Sequence, residues 1–173
     1  MSDFVRARLP ALLLILTLAL LASACGDDDE DASTDAAPAA GAAAGVVVDG
    51  DPGSKPEITL PADEPPAELT VVDLIEGEGD EVSEGATVTT DYVGVSWLND
   101  GQEFDSSWDR GEAATFPLSG VIPGWTEGIP GMREGGRRLL IIPPELAYGA
   151  RPPTPAIAEN DTLVFVIDLV SAE

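Results

Sequence analysis

The amino-acid sequence predicts an α+β domain in which a curved antiparallel β-sheet wraps around one short α-helix. Two observations lead to this fold class. From residue 67 onward, several short segments are rich in β-branched residues or alternate apolar and polar positions, with turn residues between them. In this part of the chain one segment, residues 123–129, has good helix-boundary signals. Several strands with one short helix are typical of an antiparallel sheet that packs on a helix.

The first strands are expected at residues 69–75, which are rich in Val, Leu and Ile, and at residues 87–95, which alternate apolar and polar positions. Between them, residues 77–80 predict a turn. This turn begins like a dinucleotide-binding glycine motif, but a third glycine and a following helix are missing, so that interpretation is rejected.

The later elements follow from turn and proline signals. Residues 99–101, Asn-Asp-Gly, predict a hairpin that leads into a short strand at 103–105. Further strands are expected at 116–118, 137–142 and 161–171. Pro123 suits the first turn of the helix, and Pro130 ends it because the residue before a proline disfavours helical geometry. Arg137 and Arg138 are interpreted as charges at the entry of a strand, on an otherwise acidic surface.

Residues 1–24 predict a signal peptide. Arg6 and Arg8 precede an apolar run at 12–22, which is shorter than the ~20 residues of a membrane-spanning helix. The small residues before Cys25 resemble a bacterial lipobox. This predicts cleavage before Cys25, acylation of its thiol, and an anchor on the extracytoplasmic face of the cell membrane. Ordinary secretion with a free thiol stays open, because the same small residues are cut there too.

Residues 25–66 predict a lipidated Cys followed by a disordered acidic Ala/Pro-rich tether, with the folded domain at 67–173. The tether has no aromatic residue and few apolar ones, so it cannot offset the entropy lost on ordering. Its acidic run at 27–31 lacks the spacing of a calcium loop. The chain has 32 acidic and 8 basic residues, a net charge of −24, which disfavours nucleic acid as a partner.

The residue types that are missing exclude several chemistries. The chain has no His, and its single Cys lies at the end of the predicted signal region. Ser-His-Asp and Cys-His catalysis are therefore excluded, as are thiolate or imidazole zinc sites, and no metal or cofactor is expected. The lone Cys also excludes an internal disulfide.

What the domain does have is an ordered set of apolar and aromatic motifs. They are Tyr92-Val93-Gly94, Phe104-Asp105-Ser106-Ser107, Val121-Ile122-Pro123-Gly124-Trp125, Ala147-Tyr148-Gly149-Ala150 and Thr162-Leu163-Val164-Phe165. In identity and order, these motifs resemble the FKBP-type peptidyl-prolyl cis-trans isomerases over residues 67–173. The resemblance implies an FKBP-like fold and isomerisation of X-Pro bonds.

The resemblance also implies a proline-binding pocket. It implies catalytic roles for Asp105, Ile122, Trp125, Tyr148 and Phe165. It implies substrate binding by Tyr92, Phe104, Arg110, Val121 and Ile157. In particular, Trp125 matches the family residue that forms the pocket floor. The Ile122 backbone N–H matches the family's donor to the substrate, and Tyr148 matches the family tyrosine whose hydroxyl reaches a substrate carbonyl. Asp105 and Arg110 match a paired acid and base near the Tyr92 hydroxyl.

Three departures from the family pattern affect the pocket rim. Ala114 stands where an aromatic wall residue is expected, and the segment between Phe116 and Val121 is about two residues shorter than in compact eukaryotic members. The loop after Tyr148 carries Arg and Pro at 151–155, where those members have Gly and His. Binding of the macrolides that family members recognise is therefore expected to be weak.

The expected function is to accelerate X-Pro rotation in unfolded or proline-containing polypeptides outside the cytoplasmic membrane, as a monomer. Two alternatives stay open. One is a non-catalytic proline-recognising chaperone or binding module on the same fold, and the other is an inert lipoprotein spacer.

Overall fold

A computed structural model describes residues 41–173. The predicted signal peptide, Cys25 and residues 26–40 of the predicted tether lie outside the described residues. The nine strands found within 41–173 are β1 (Gly41–Ala43), β2 (Val46–Asp49), β3 (Glu57–Thr59), β4 (Thr70–Ile75), β5 (Thr87–Ser96), β6 (Gln102–Ser106), β7 (Ala114–Pro117), β8 (Arg137–Ile142) and β9 (Leu163–Ala172). The two α-helices of this part of the chain are α1 (Ser107–Arg110) and α2 (Pro123–Gly128).

Six of the strands form one antiparallel sheet in the order β4-β8-β9-β5-β6, with β7 also paired to β5. The ten-residue β5 organises this sheet because β9 pairs along one edge while β6 and β7 share the other. In this register Gly94 lies opposite both Phe165 of β9 and Asp105 of β6. The antiparallel α+β fold expected from the sequence is thereby confirmed.

The inner face of the sheet packs on α2. Pro123 occupies the first turn of this helix, as expected, and the helix ends one residue earlier than predicted, with Ile129 as its C-cap. Close approach to β8 depends on two glycines. A Cβ at Gly124 would lie 2.4 Å from Ile142, and one at Gly128 would lie 2.8 Å from Leu140. The helix can therefore sit directly on the sheet, with Trp125 buried between them.

The prediction of a disordered tether up to residue 66 is wrong from residue 41 onward. The strands β1, β2 and β3 form a second antiparallel sheet. Val46 and Val48 are completely buried, and they cluster with apolar residues on the outer face of the large sheet, which are Val93, Val95, Trp97, Leu139, Ile141, Val164 and Val166. The segment has too few apolar residues for a core of its own, but the outer face of the large sheet supplies the rest.

The interpretation of Arg137 and Arg138 as surface charges is also wrong. Arg137 is only 1% exposed and Arg138 only 6% exposed. Arg137 makes a two-point ion pair with Asp168, and Arg138 makes one with Asp73. Arg138 also donates to the backbone oxygen of Gly128 at 2.8 Å, at the C-terminal end of α2. Buried guanidinium groups persist here because carboxylates and carbonyls satisfy their donors.

Within residues 41–173, no helix combines the length and the apolar character needed to cross a membrane.

Candidate active site

A cavity of about 420 Å³ opens between α2, the inner face of the sheet and the loop that contains Tyr148. Eight of the residues predicted for the site line it, namely Tyr92, Phe104, Asp105, Val121, Ile122, Trp125, Tyr148 and Phe165. The volume lies in the range of small-molecule and side-chain pockets. The structure therefore brings together, in one concave surface, motifs that are as far as 73 residues apart in the chain.

The floor and walls are aromatic rings in edge-to-face contact. Trp125 is 4% exposed, and its ring centroid lies 5.3 Å from that of Tyr92, 5.4 Å from that of Phe165 and 5.7 Å from that of Phe116. Phe104 meets Phe165 at 5.5 Å with an interplanar angle of 87°. Such contacts hold each ring against several others, so the cavity has a fixed apolar shape.

Gly94 leaves the space that two of these rings occupy. A Cβ at this position would lie 2.7 Å from both the Phe104 and the Phe165 rings. Because β5 passes directly beneath the two rings, only a residue without a side chain lets them meet at the observed distance. The glycine of the first motif is thus part of the pocket wall.

A polar edge borders the aromatic walls. The Tyr92 hydroxyl donates to Asp105 at 2.5 Å and accepts from Arg110 at 2.9 Å, while Arg110 and Asp105 form an ion pair. The Arg110 guanidinium also stacks over the Tyr92 ring, 5.4 Å from its centroid. Arg110 does not line the cavity itself but fixes two groups that do.

The short helix α1 sets the position of Arg110 relative to Asp105. Ser106 caps the helix, accepting from the Asp109 N–H at 3.4 Å, and Gly111 ends it in a left-handed conformation with φ of 77°. Both residues are typical of helix boundaries. They are the signal from which this single turn, missing from the sequence prediction, could have been expected.

Both tyrosines of the site stay protonated at neutral pH. Burial raises the pKa of Tyr92 to about 12, with a further upward contribution from its hydrogen bond to Asp105. Burial also raises the pKa of Tyr148, and the negative charge of Asp105 adds to this effect. Each hydroxyl can therefore donate a hydrogen bond over the whole physiological range.

The segment before α2 lines the cavity and carries a backbone amide that has no backbone acceptor in the described part of the chain. Ile122 is the N-cap of α2, and its carbonyl oxygen accepts from the amides of Trp125 and Thr126. Within residues 41–173 no backbone acceptor takes the Ile122 amide hydrogen. Val121 and Ile122 both line the cavity, so this amide belongs to the chain segment that borders it.

The outcome differs for four other positions. Ile157 is 4% exposed and packs in the inner core beside the pocket residues, but it does not line the cavity. Phe116 and Gly120 line it and were missed. Ala114 lies opposite Thr90 in the pairing of β7 with β5, and Phe116, two residues further along the same face, supplies an aromatic ring to the wall. The period of two in a strand could have indicated this position.

The described part of the chain contains no cluster of three or more His, Cys, Asp or Glu side chains arranged to hold a metal ion.

Comparison with known proteins agrees with this geometry. A family model described as "FKBP-type peptidyl-prolyl cis-trans isomerase" matches residues 79–170. An FK506-binding protein of Streptomyces anulatus is 49% identical over 120 residues, which are 68% of this chain and 96% of that protein. The isomerase FkpA of Escherichia coli is 47% identical over 97 residues, which are 56% of this chain and 35% of FkpA.

Two solved structures are similar in fold. The crystal structure of FkpA from Escherichia coli superposes with a TM-score of 0.56 and 44% identity, covering 61% of this chain and 48% of FkpA. The crystal structure of AtFKBP13 has the same TM-score of 0.56 with 36% identity, and covers 63% of this chain and 96% of AtFKBP13.

Proposed function

This chain belongs to the FKBP-type peptidyl-prolyl cis-trans isomerase family, and we propose that it accelerates X-Pro rotation in proteins that fold outside the cytoplasmic membrane. Its activity as a peptidyl-prolyl cis-trans isomerase follows from the family and from its named relatives. The observation that carries the assignment of the site is the cavity itself, in which aromatic walls meet one polar edge.

Rotation about an X-Pro bond crosses a barrier of about 20 kcal/mol because it interrupts amide resonance. The twisted amide has lost part of its charge separation, so a site that removes water from it lowers the barrier. The walls formed by Trp125, Phe165 and Phe104 suit this task because they offer an apolar surface from which a bound proline ring would displace water. Binding that fits the twisted geometry better than either planar isomer accelerates the reaction.

Hydrogen bonds at the mouth of the cavity orient the substrate in this proposal. The Ile122 amide donates to a substrate carbonyl on one side, and the Tyr148 hydroxyl donates to a second one on the other. Both groups are available for this, since Tyr148 is 37% exposed and its raised pKa keeps the hydroxyl protonated. When one carbonyl is held on each side of the rotating segment, the motion is limited to rotation about the X-Pro bond.

The polar edge keeps the cavity in shape and supplies no proton. Asp105 and Arg110 hold the Tyr92 hydroxyl from both sides, so the ring stays edge-on to Trp125. No bond to hydrogen is made or broken in an X-Pro rotation. The site therefore works through shape, exclusion of water and fixed hydrogen bonds.

Two substitutions test the site in an NMR or protease-coupled isomerisation assay with the full chain. Tyr148→Phe removes one hydroxyl, and the loss of one hydrogen bond of ~0.5–1.5 kcal/mol predicts a two- to tenfold lower kcat/KM. Asp105→Val removes the partner of Tyr92 and Arg110 while keeping side-chain bulk, and we expect a loss at least as large. If both folded variants match the parent, these residues do not form the active site.

The place of action is proposed from the N-terminal sequence. Arg6 and Arg8, the apolar run at 12–22 and the small residues before Cys25 support export and acylation at Cys25. Two or more acyl chains are needed for stable anchoring. Mass spectrometry of the native protein should show an acylated Cys25 at the N-terminus, and Cys25→Ser should abolish this species. An unmodified Cys25 in the mature protein would contradict the anchor.

Weak macrolide binding completes the proposal. The aromatic floor supports entry of an apolar ring, whereas the shortened segment before Val121 and the Arg- and Pro-containing loop at 151–155 alter the rim. Calorimetric titration with FK506 should give the shallow binding curve of a low affinity. Tight binding would contradict the proposed effect of the rim.

A further inference from the structure

The sheet of β1, β2 and β3 has a fixed anchor on the outer face of the large sheet. In the loop that joins β2 to β3, the carbonyl oxygens of Gly50 and Ser54 accept from Arg137 at 2.8 and 2.7 Å. The Gly53 amide donates to Asp168, the ion-pair partner of Arg137, at 3.0 Å. Because Arg137 is 1% exposed, this loop is bound to a buried part of the large sheet.

From the same loop, Lys55 reaches the elements that carry the polar edge of the cavity. Its Nζ lies 2.9 Å from the carboxylate of Glu103 in β6 and 2.6 Å from that of Asp109 in α1. Glu103 lies two residues before Asp105, and Asp109 directly precedes Arg110. One ammonium group thus binds both elements that present the Asp105–Arg110 pair.

We propose that Lys55 is a positioning residue for isomerisation, which holds β6 and α1 together so that Asp105 and Arg110 stay on either side of the Tyr92 hydroxyl. The inference rests on the role proposed above for the polar edge. Lys55 lies outside the matched range of the family model, which begins at residue 79. The second sheet therefore supports the chemistry of a pocket to which it contributes no lining residue.

The ion pairs of Lys55 are partly exposed, so their effect is expected to be moderate. Such pairs change an equilibrium by about two- to fivefold and are weakened by salt. We therefore expect Lys55→Met in the full chain to lower kcat/KM about two- to fivefold at low ionic strength, with a melting temperature close to that of the parent. Lys55→Arg, which keeps the charge, should retain the parent rate.

Salt and a matched control separate positioning from a general loss of charge. In 1 M NaCl the difference in rate between the parent and Lys55→Met should close, because salt screens the ion pairs that only the parent has. Arg133→Met removes another partly exposed ion pair, with Glu81, but neither residue lies in a strand or helix that carries a residue of the cavity. This control should leave both the rate and its salt dependence unchanged.

The outcomes distinguish this inference from the proposed function. If Lys55→Met equals the parent at low salt while Asp105→Val is slow, Lys55 has no positioning role and the pocket assignment stands. If Asp105→Val is also as fast as the parent, the pocket assignment itself fails. Equal losses in Lys55→Met and Arg133→Met, or failure of Lys55→Arg to retain the rate, would equally overturn the positioning role.

Discussion

Replacing Val48 with Ala tests whether the N-terminal sheet belongs to the folded domain. Val48 is completely buried between β2 and the outer face of the large sheet, whereas Val47, its neighbour on the same strand, is 37% exposed. Alternate side chains of a strand point to opposite faces, so the two valines differ in burial and share chemistry and backbone. Val47→Ala is therefore a matched control.

The expected cost follows from the burial. Val→Ala removes the equivalent of two methylene groups, about 1.6 kcal/mol of transfer free energy at ~0.8 kcal/mol each. The cavity left behind adds to this, for a total of roughly 2–3 kcal/mol. For a domain of this size such a loss lowers the melting temperature by roughly 5–10 °C.

Thermal unfolding of the full chain, followed by circular dichroism, measures both variants. Val48→Ala should melt clearly below the parent, and Val47→Ala should melt within about 2 °C of it. A flexible tether would show no effect at either position. Equal melting temperatures for the parent and Val48→Ala would refute the docking of this sheet on the domain.

Three further predictions concern the site and its support. Gly94→Ala places a Cβ against two aromatic rings and should lower kcat/KM about tenfold. Gly120→Ala is the control. Its Cβ would lie 3.4 Å from its nearest neighbour, so this variant should keep the fold of the parent. The pKa of Tyr92 is raised from 10.0 to about 12, so the protonated hydroxyl stabilises the folded protein fully below pH 10, and this stabilisation is lost as the pH rises toward 12. The melting temperature should therefore fall between pH 10 and pH 12, and it should fall less in Tyr92→Phe. Arg138→Met leaves carbonyl oxygens at the end of α2 without a donor and should cost about 1–3 kcal/mol in urea unfolding; an unchanged midpoint would contradict this support of the helix.

The large sheet and its helix could be predicted because each element carries a local signal. The alternation of residues 87–95 gave β5, and Pro123 with Pro130 bounded α2 to within one residue. The eight lining residues could be predicted through their motifs and the resemblance that the motifs carry. Such signals depend only on residues close together in the sequence, so they can be recognised without knowledge of the tertiary structure.

The errors arose where a distant surface decides the structure. Val46 and Val48 in β2 pack against apolar residues of β5, β8 and β9. The sequence of residues 41–59 does not indicate these distant partners. Arg138 is buried because Asp73 and the end of α2 meet at its guanidinium, which is a contact between remote segments. Phe116 carries a local signal, because the period of two in a strand places it on the same face of β7 as Ala114.

In the proposed mechanism this pocket isomerises X-Pro bonds through shape and exclusion of water, without transferring a proton. NMR exchange spectroscopy on a short X-Pro peptide, with catalytic amounts of the full chain, can test this mechanism when it is repeated from pH 6 to pH 8. The chain has no His, and the pKa of Tyr92 lies far above this range. We expect clear acceleration over buffer and a nearly constant kcat/KM throughout. A bell-shaped or steep pH profile, or no acceleration at any pH, would contradict this mechanism.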